Sequence, residues 1–213
     1  MSSSRTSQFF DSYAHDFSAI YGNSNTFLNR LINRHLRTSM RLRYEKTIAG
    51  CFPIDGMSVL DIGCGPGHYS VALAKKGAGR VFGIDFADEM IAIARQQARS
   101  AGVDARCQFA HGDFLADSIE GRYDYTIAMG FMDYIADAKK IVDKVLALSQ
   151  CKAFFSFPAD GGILAWQRKL RYKKRCALYL YTLPRLEQLF ATVPSSRVCI
   201  EPIARDYFVT VTM

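Results

Sequence analysis

The segment VLDIGCGPGHYS, Val59 to Ser70, passes from an apolar run through an acid into glycines at every second position: Gly63, Gly65 and Gly67. Glycine permits positive φ angles and lets backbone N–H groups approach a ligand that side chains would hold away. Following a buried strand and opening a helix, such a loop calls for an open α/β sheet with the loop at its C-terminal edge, where such sheets bind ligands. The spacing discriminates among ligands. A dinucleotide fingerprint reads GxGxxG, whereas here the third glycine comes one residue early, His68 follows it, and Asp61 stands two residues before Gly63. No GKS or GKT follows, which argues against a phosphate-cradling P-loop. Asp85, 18 residues beyond Gly67 at the end of the next apolar run, suits the two hydroxyls of a ribose.

Short apolar runs alternate with segments of helical period from Ser58 onward, as in a parallel sheet covered on both faces. The strands expected are 58–63, 80–85, 105–113, 123–130 and 151–158, with helices over 68–76, 87–101 and 137–148 between them. A further helix begins near Thr182 and Pro184. RVCIEPI and YFVTVTM, joined by Ala204, Arg205 and Asp206, read as a closing hairpin. The fold class is thus α/β and doubly wound, with an antiparallel end. Residues 1–50 read as an N-terminal helical cap on a domain of 51–213. Its stretch from Thr26 to Ile48 is amphipathic, with Leu28, Leu31, Ile32, Leu36 and Met40 on one face.

At 213 residues and 49% hydrophobic composition, one globular domain is expected. The first 20 residues hold no apolar run suited to a secretion signal or membrane span, so a cytoplasmic protein is expected. Six cysteines form no CxxC pair and no zinc-ligand cluster, which speaks against a structural metal. The net charge of +7 divides as +4, −2 and +5 over residues 1–50, 51–159 and 160–213, so the basic excess sits in the flanks. Such flanks attract an anionic small molecule, a nucleic acid or an acidic surface alike.

VLDIGCGPG, then GIDFADEM, HGDF and YDYTIAMG resemble the successive motifs of the class I S-adenosylmethionine-dependent methyltransferases over residues 55–160. The resemblance implies a seven-stranded Rossmann-like sheet with its last strand antiparallel, and S-adenosylmethionine as cofactor. It implies that Asp61, Gly63, Cys64, Gly65 and Gly67 line the methionine part and that Asp85 holds the ribose. Phe86 and Met90 would flank the adenine, Asp113 and Phe114 would receive its amino edge, and Met129, Gly130 and Phe131 would close the pocket on the methyl side. Asp61 and Asp85 can also be read as helix caps or ion-pair partners, and Asp113 as part of a plain turn. Cys64 reads as a small residue in a tight turn.

The acceptor is less legible. Methyl transfer from a sulfonium is an in-line displacement that depends on positioning in a dry pocket, and a base is needed only where the acceptor must lose a proton. The N/D-P-P-Y/F motif of amine-directed base methyltransferases is absent after the fourth strand, where the chain reads MGFMDY, and residues 129–137 hold no cysteine nucleophile. The order of motifs and the SFP of the fifth strand are similar to enzymes that methylate a porphyrin carboxylate. Where many relatives carry histidine, this chain has Asp133, read either as a base or as the cap of the next helix. Tyr134 reads as packing or as a substrate wall, and His68 as a second candidate base.

Residues 159–181 fall where the family often inserts a lid. There Trp166, Arg168 and Arg171 belong to a run with six basic residues between Arg168 and Arg175. The run reads as a solvated face, as an anion-gripping lid or as a nucleic-acid contact. FFDSYAHDFSAIYG resembles N-terminal segments that fold over the cofactor, which implies Tyr13 and Tyr21 at the site and Arg43 against the cofactor carboxylate. The resulting expectation is methyl transfer to a small molecule, at oxygen rather than nitrogen. An RNA methyltransferase and a non-catalytic cofactor-binding subunit are the alternatives. Monomer and homodimer are not distinguished.

Overall fold

A computed structural model describes residues 27–161 and 178–213, with side chains from Thr38 onward in the first segment. Helix α1 (Phe27–Gly50) leads into β1 (Ser58–Ile62), α2 (His68–Lys75), β2 (Arg80–Asp85), α3 (Asp88–Ser100), β3 (Cys107–His111) and β4 (Tyr123–Ala128). A 3₁₀ turn (Met132–Tyr134), α4 (Ala138–Leu148), β5 (Ser149–Pro158), α5 (Leu183–Leu189), a second 3₁₀ turn (Ser195–Arg197), β6 (Val198–Ile203) and β7 (Asp206–Thr212) complete it.

The seven strands of the described residues form one sheet in the order β3-β2-β1-β4-β5-β7-β6, with β7 antiparallel to both neighbours. The expected architecture is therefore the one observed. Continuous burial from Val59 to Ile62 follows from helices covering both faces of the central strand. The order reverses between β1 and β4, and that switch point opens a crevice at the carboxyl ends of the strands.

Several boundaries differ from those expected. β3 is Cys107–His111 rather than 105–113, because Gly112 and Asp113 leave the ladder for a side-chain-bonded turn. β5 begins at Ser149, where the chain passes from α4 straight into the strand. Asp206 already pairs with Ile203 and Pro158, so the β6–β7 turn is only Ala204 and Arg205, with Ala204 at φ 49°. Asp137, not Asp133, caps α4, accepting from the Lys140 N–H at 3.3 Å. Thr182 occupies the N-cap position of α5 without a side-chain bond.

The core lies on both faces of the sheet. Leu60, Ile62, Phe155, Phe157, Ile141 and Val145 fill one side. Val59, Val81, Leu73, Ile127 and Phe154 fill the other, where Leu42 and Ile48 of α1 pack. A Cβ on Gly50 would stand 2.6 Å from the Phe154 ring, so the end of α1 rests directly on β5. Polar contacts tie the same helix to the hairpin: Lys46 pairs with Glu201 at 2.9 Å, and the Arg205 N–H donates to Ser39 Oγ at 3.2 Å. No helix among the described residues is long and apolar enough to cross a membrane.

Candidate active site

Register brings the glycine loop against β2. Ile62 pairs with Ile84, and the N–H groups of Gly63 and Cys64 both donate to the Ile84 carbonyl, at 2.9 and 3.1 Å. The loop is then held from the side by Asp85, whose Oδ2 accepts from the Gly65 N–H at 2.8 Å while Oδ1 accepts from the Ala87 N–H at 3.0 Å. Burial raises the Asp85 carboxyl above its ordinary range, and these backbone bonds oppose the rise. Each oxygen retains a second lone pair, which is what two ribose hydroxyls require.

The three glycines serve different ends. All have positive φ, 63°, 51° and 80° in order. A Cβ on Gly63 would lie 2.9 Å from the Phe131 ring, and one on Gly67 would lie 3.0 Å from Ala94 of α3. Gly65, by contrast, has no atom of a described residue within 4 Å of that position, so its outer face is open to a ligand. Beneath the loop, the buried Asp61 accepts from Ser70 Oγ at 2.6 Å. Burial pushes its carboxyl up to about 6 against that hydrogen bond. Cys64 packs against Gly83, and burial holds its thiol protonated, which fits a space-filling role rather than a nucleophile.

Phe86 and the buried Met90 stand just past β2, and the Phe86 carbonyl accepts from His111 Nε2 at 2.9 Å. Asp113 lies exposed beyond β3, its Oδ1 bound by the Leu115 N–H at 2.8 Å, so it does form a turn. The Phe114 ring is buried in the core.

The tail of β4 runs past the glycine loop, where Phe131 meets Gly63. Met129 is buried, and Gly130, at φ 83°, donates its N–H to Ser156 Oγ at 2.9 Å. The same oxygen accepts from Arg43 Nη1 at 3.2 Å. Arg43 reaches this point from α1. Its Nε stands 3.7 Å from Asp206 Oδ2, too far for a hydrogen bond, and is a buried donor without a partner among the described residues. The guanidinium is thus held between Ser156 and Asp206 at the ends of β5 and β7. Asp133 is 5% exposed in the first 3₁₀ turn, and its carbonyl accepts from the Tyr179 N–H at 2.8 Å. Tyr134 is half-buried beside it. His68 is exposed at the start of α2 and lines an open groove with Tyr44, Val71, Lys75 and Gln97. Tyr13, Tyr21, Trp166, Arg168 and Arg171 lie outside the described residues.

Ser156 and Asp206 were not singled out by sequence reasoning. Ser156 carries a weak signal, as the polar interruption of an otherwise apolar strand. Asp206 carries none, since an acid in a hairpin connection is unremarkable until Pro158 is seen opposite it.

Residues 54–167 match the family model described as a methyltransferase domain. A ubiquinone biosynthesis O-methyltransferase of Bordetella avium is 33% identical over 114 residues, covering 54% of this chain and 46% of that protein. One from Coxiella burnetii is 30% identical over 161 residues, covering 75% and 61%. The chain thus spans roughly half of the first of these relatives and 61% of the second. Among solved structures, a magnesium protoporphyrin IX methyltransferase from Synechocystis PCC 6803 with bound SAH superposes with a TM-score of 0.76 at 19% identity, covering 97% of each chain. That likeness is one of fold.

Proposed function

This chain belongs to the methyltransferase-domain family, and on that premise we propose that it transfers a methyl group from S-adenosylmethionine to an oxygen of a small-molecule acceptor. The observation that carries the reading is the Asp85 carboxylate, fixed by the Gly65 and Ala87 N–H groups beside an open glycine face. When bound, the cofactor supplies a methyl group on a sulfonium, already activated for displacement.

The chain's own residues hold and orient. Asp85 takes the ribose hydroxyls, Phe86 and Met90 border the adenine, and Asp113 accepts from its amino group. Asp61 faces the methionine ammonium, and the Arg43 guanidinium, oriented by Ser156, takes the carboxylate. Phe131, packed on Gly63, bounds the methyl side and keeps water from it. Asp133, in the turn that follows, accepts the proton an acceptor hydroxyl must lose. Oxygen as the acceptor atom is supported by this acid and by the printed names of the relatives.

The test is a screen with methyl-labelled S-adenosylmethionine against phenols, catechols and carboxylic acids. Label transfer to an oxygen nucleophile supports the reading. Transfer only to amines or to RNA contradicts it.

A further inference from the structure

The segment after β3 is fixed by a chain of charged and peptide groups that the cofactor contacts leave unexplained. Lys144, on α4, places Nζ on the carbonyls of Phe114 and Asp117, the latter at 2.6 Å, and lies 4.8 Å from the centroid of the Phe114 ring. The peptide unit that begins with the Phe114 carbonyl ends in the Leu115 N–H, and that N–H donates to Asp113 Oδ1 at 2.8 Å. One peptide is therefore bracketed, with a cation on its oxygen and a carboxylate on its hydrogen. Such polarised chains strengthen each member. The far side is closed as well. The Asp113 N–H donates to Asp117 Oδ2 at 2.8 Å, and the Asp117 N–H returns to the Asp113 carbonyl at 2.8 Å. Gly112 is required here, because a Cβ on it would stand 2.1 Å from Asp117 Oδ2.

We infer that Lys144 is a positioning residue for adenine recognition, acting through the Phe114–Leu115 peptide to aim the Asp113 carboxylate at the 6-amino group. The inference rests on the cofactor assignment made above. With Oδ1 held by Leu115, Oδ2, which takes no hydrogen bond from a described residue, is the oxygen presented to the base. A carboxylate so fixed accepts from the amino group of adenine and repels the 6-oxo group of hypoxanthine. A loosely held one turns aside and discriminates less. Lys144 itself touches no part of the cofactor in this arrangement.

The experiment compares S-adenosylhomocysteine with S-inosylhomocysteine by calorimetry on the full chain. The wild type prefers the adenine compound by about tenfold or more, as a missing partner for a charged hydrogen-bonding group implies. Lys144→Met weakens the adenine compound about fivefold and leaves the inosine compound within about twofold, so the preference collapses. Lys144→Arg, which retains the cation, keeps the preference. Lys144→Gln, with one donor and no charge, falls between and serves where the methionine variant does not fold. Equal weakening of both compounds makes Lys144 merely structural and overturns the inference, as does an unchanged preference. If the wild type binds neither compound, the cofactor assignment falls and this inference with it. If it binds both with equal affinity, the inference falls alone.

Discussion

Phe131 lies on the glycine loop where Gly63 has no side chain: a Cβ there would stand 2.9 Å from the ring, at a backbone φ of 63°. The tail of β4 and the glycine loop thus share one contact. Gly63→Ala forces the ring off the loop and adds left-handed strain of about 1–3 kcal/mol. Thermal unfolding will show the loss, and S-adenosylhomocysteine affinity will fall by about tenfold or more. Unchanged stability and affinity would show that the contact is dispensable.

Asp61 makes the site sensitive to pH. Its folded pKa, pushed by burial from 3.8 to about 6, lies above the unfolded one. The stability it contributes is therefore full below about pH 4 and is lost as pH rises through about 6. Binding has the opposite sign. A cofactor ammonium beside Asp61 favours the carboxylate, so binding releases a proton, and affinity rises about tenfold between pH 5 and pH 7 before levelling. Titrations in buffers of different ionisation enthalpy will report the proton. Asp61→Asn flattens the profile, and a flat wild-type profile would remove Asp61 from the ammonium.

Arg43 separates two parts of the ligand. Arg43→Met will weaken S-adenosylhomocysteine by about tenfold or more, while 5′-methylthioadenosine, which lacks the carboxylate, keeps its affinity. Equal losses for both would mean that Arg43 serves α1 docking alone. Ser156→Ala strips an acceptor from both Arg43 Nη1 and the Gly130 N–H and will lower stability by about 1–3 kcal/mol, read by denaturant unfolding.

Asp133 bears on chemistry rather than binding. Asp133→Asn will reduce kcat by about 10²–10⁴-fold with S-adenosylhomocysteine affinity unchanged. Full activity in this variant would leave the acceptor's proton to another group.

The sheet and glycine loop were legible because they rest on local chemistry: continuous apolar runs, helical spacing and glycines at positions that need positive φ. Asp85 was readable for the same reason, standing at a strand end. The contacts that hold Arg43 were not. Arg43 meets Ser156 across 113 residues of sequence and Asp206 across more, and such meetings depend on strand order. The antiparallel β7 was expected, yet its consequence was not: Asp206 returns to the carboxyl edge opposite Pro158 and joins the site. From sequence Asp133 reads as either base or cap, and the cap is Asp137, four residues on.

The most direct measurement is a calorimetric titration of S-adenosylhomocysteine into the wild-type chain and Asp85→Asn. A site built around that carboxylate predicts one ligand per chain with a Kd on the order of micromolar, weakened about a hundredfold in the variant. An absence of binding to the wild type, or equal affinity in both proteins, would contradict it.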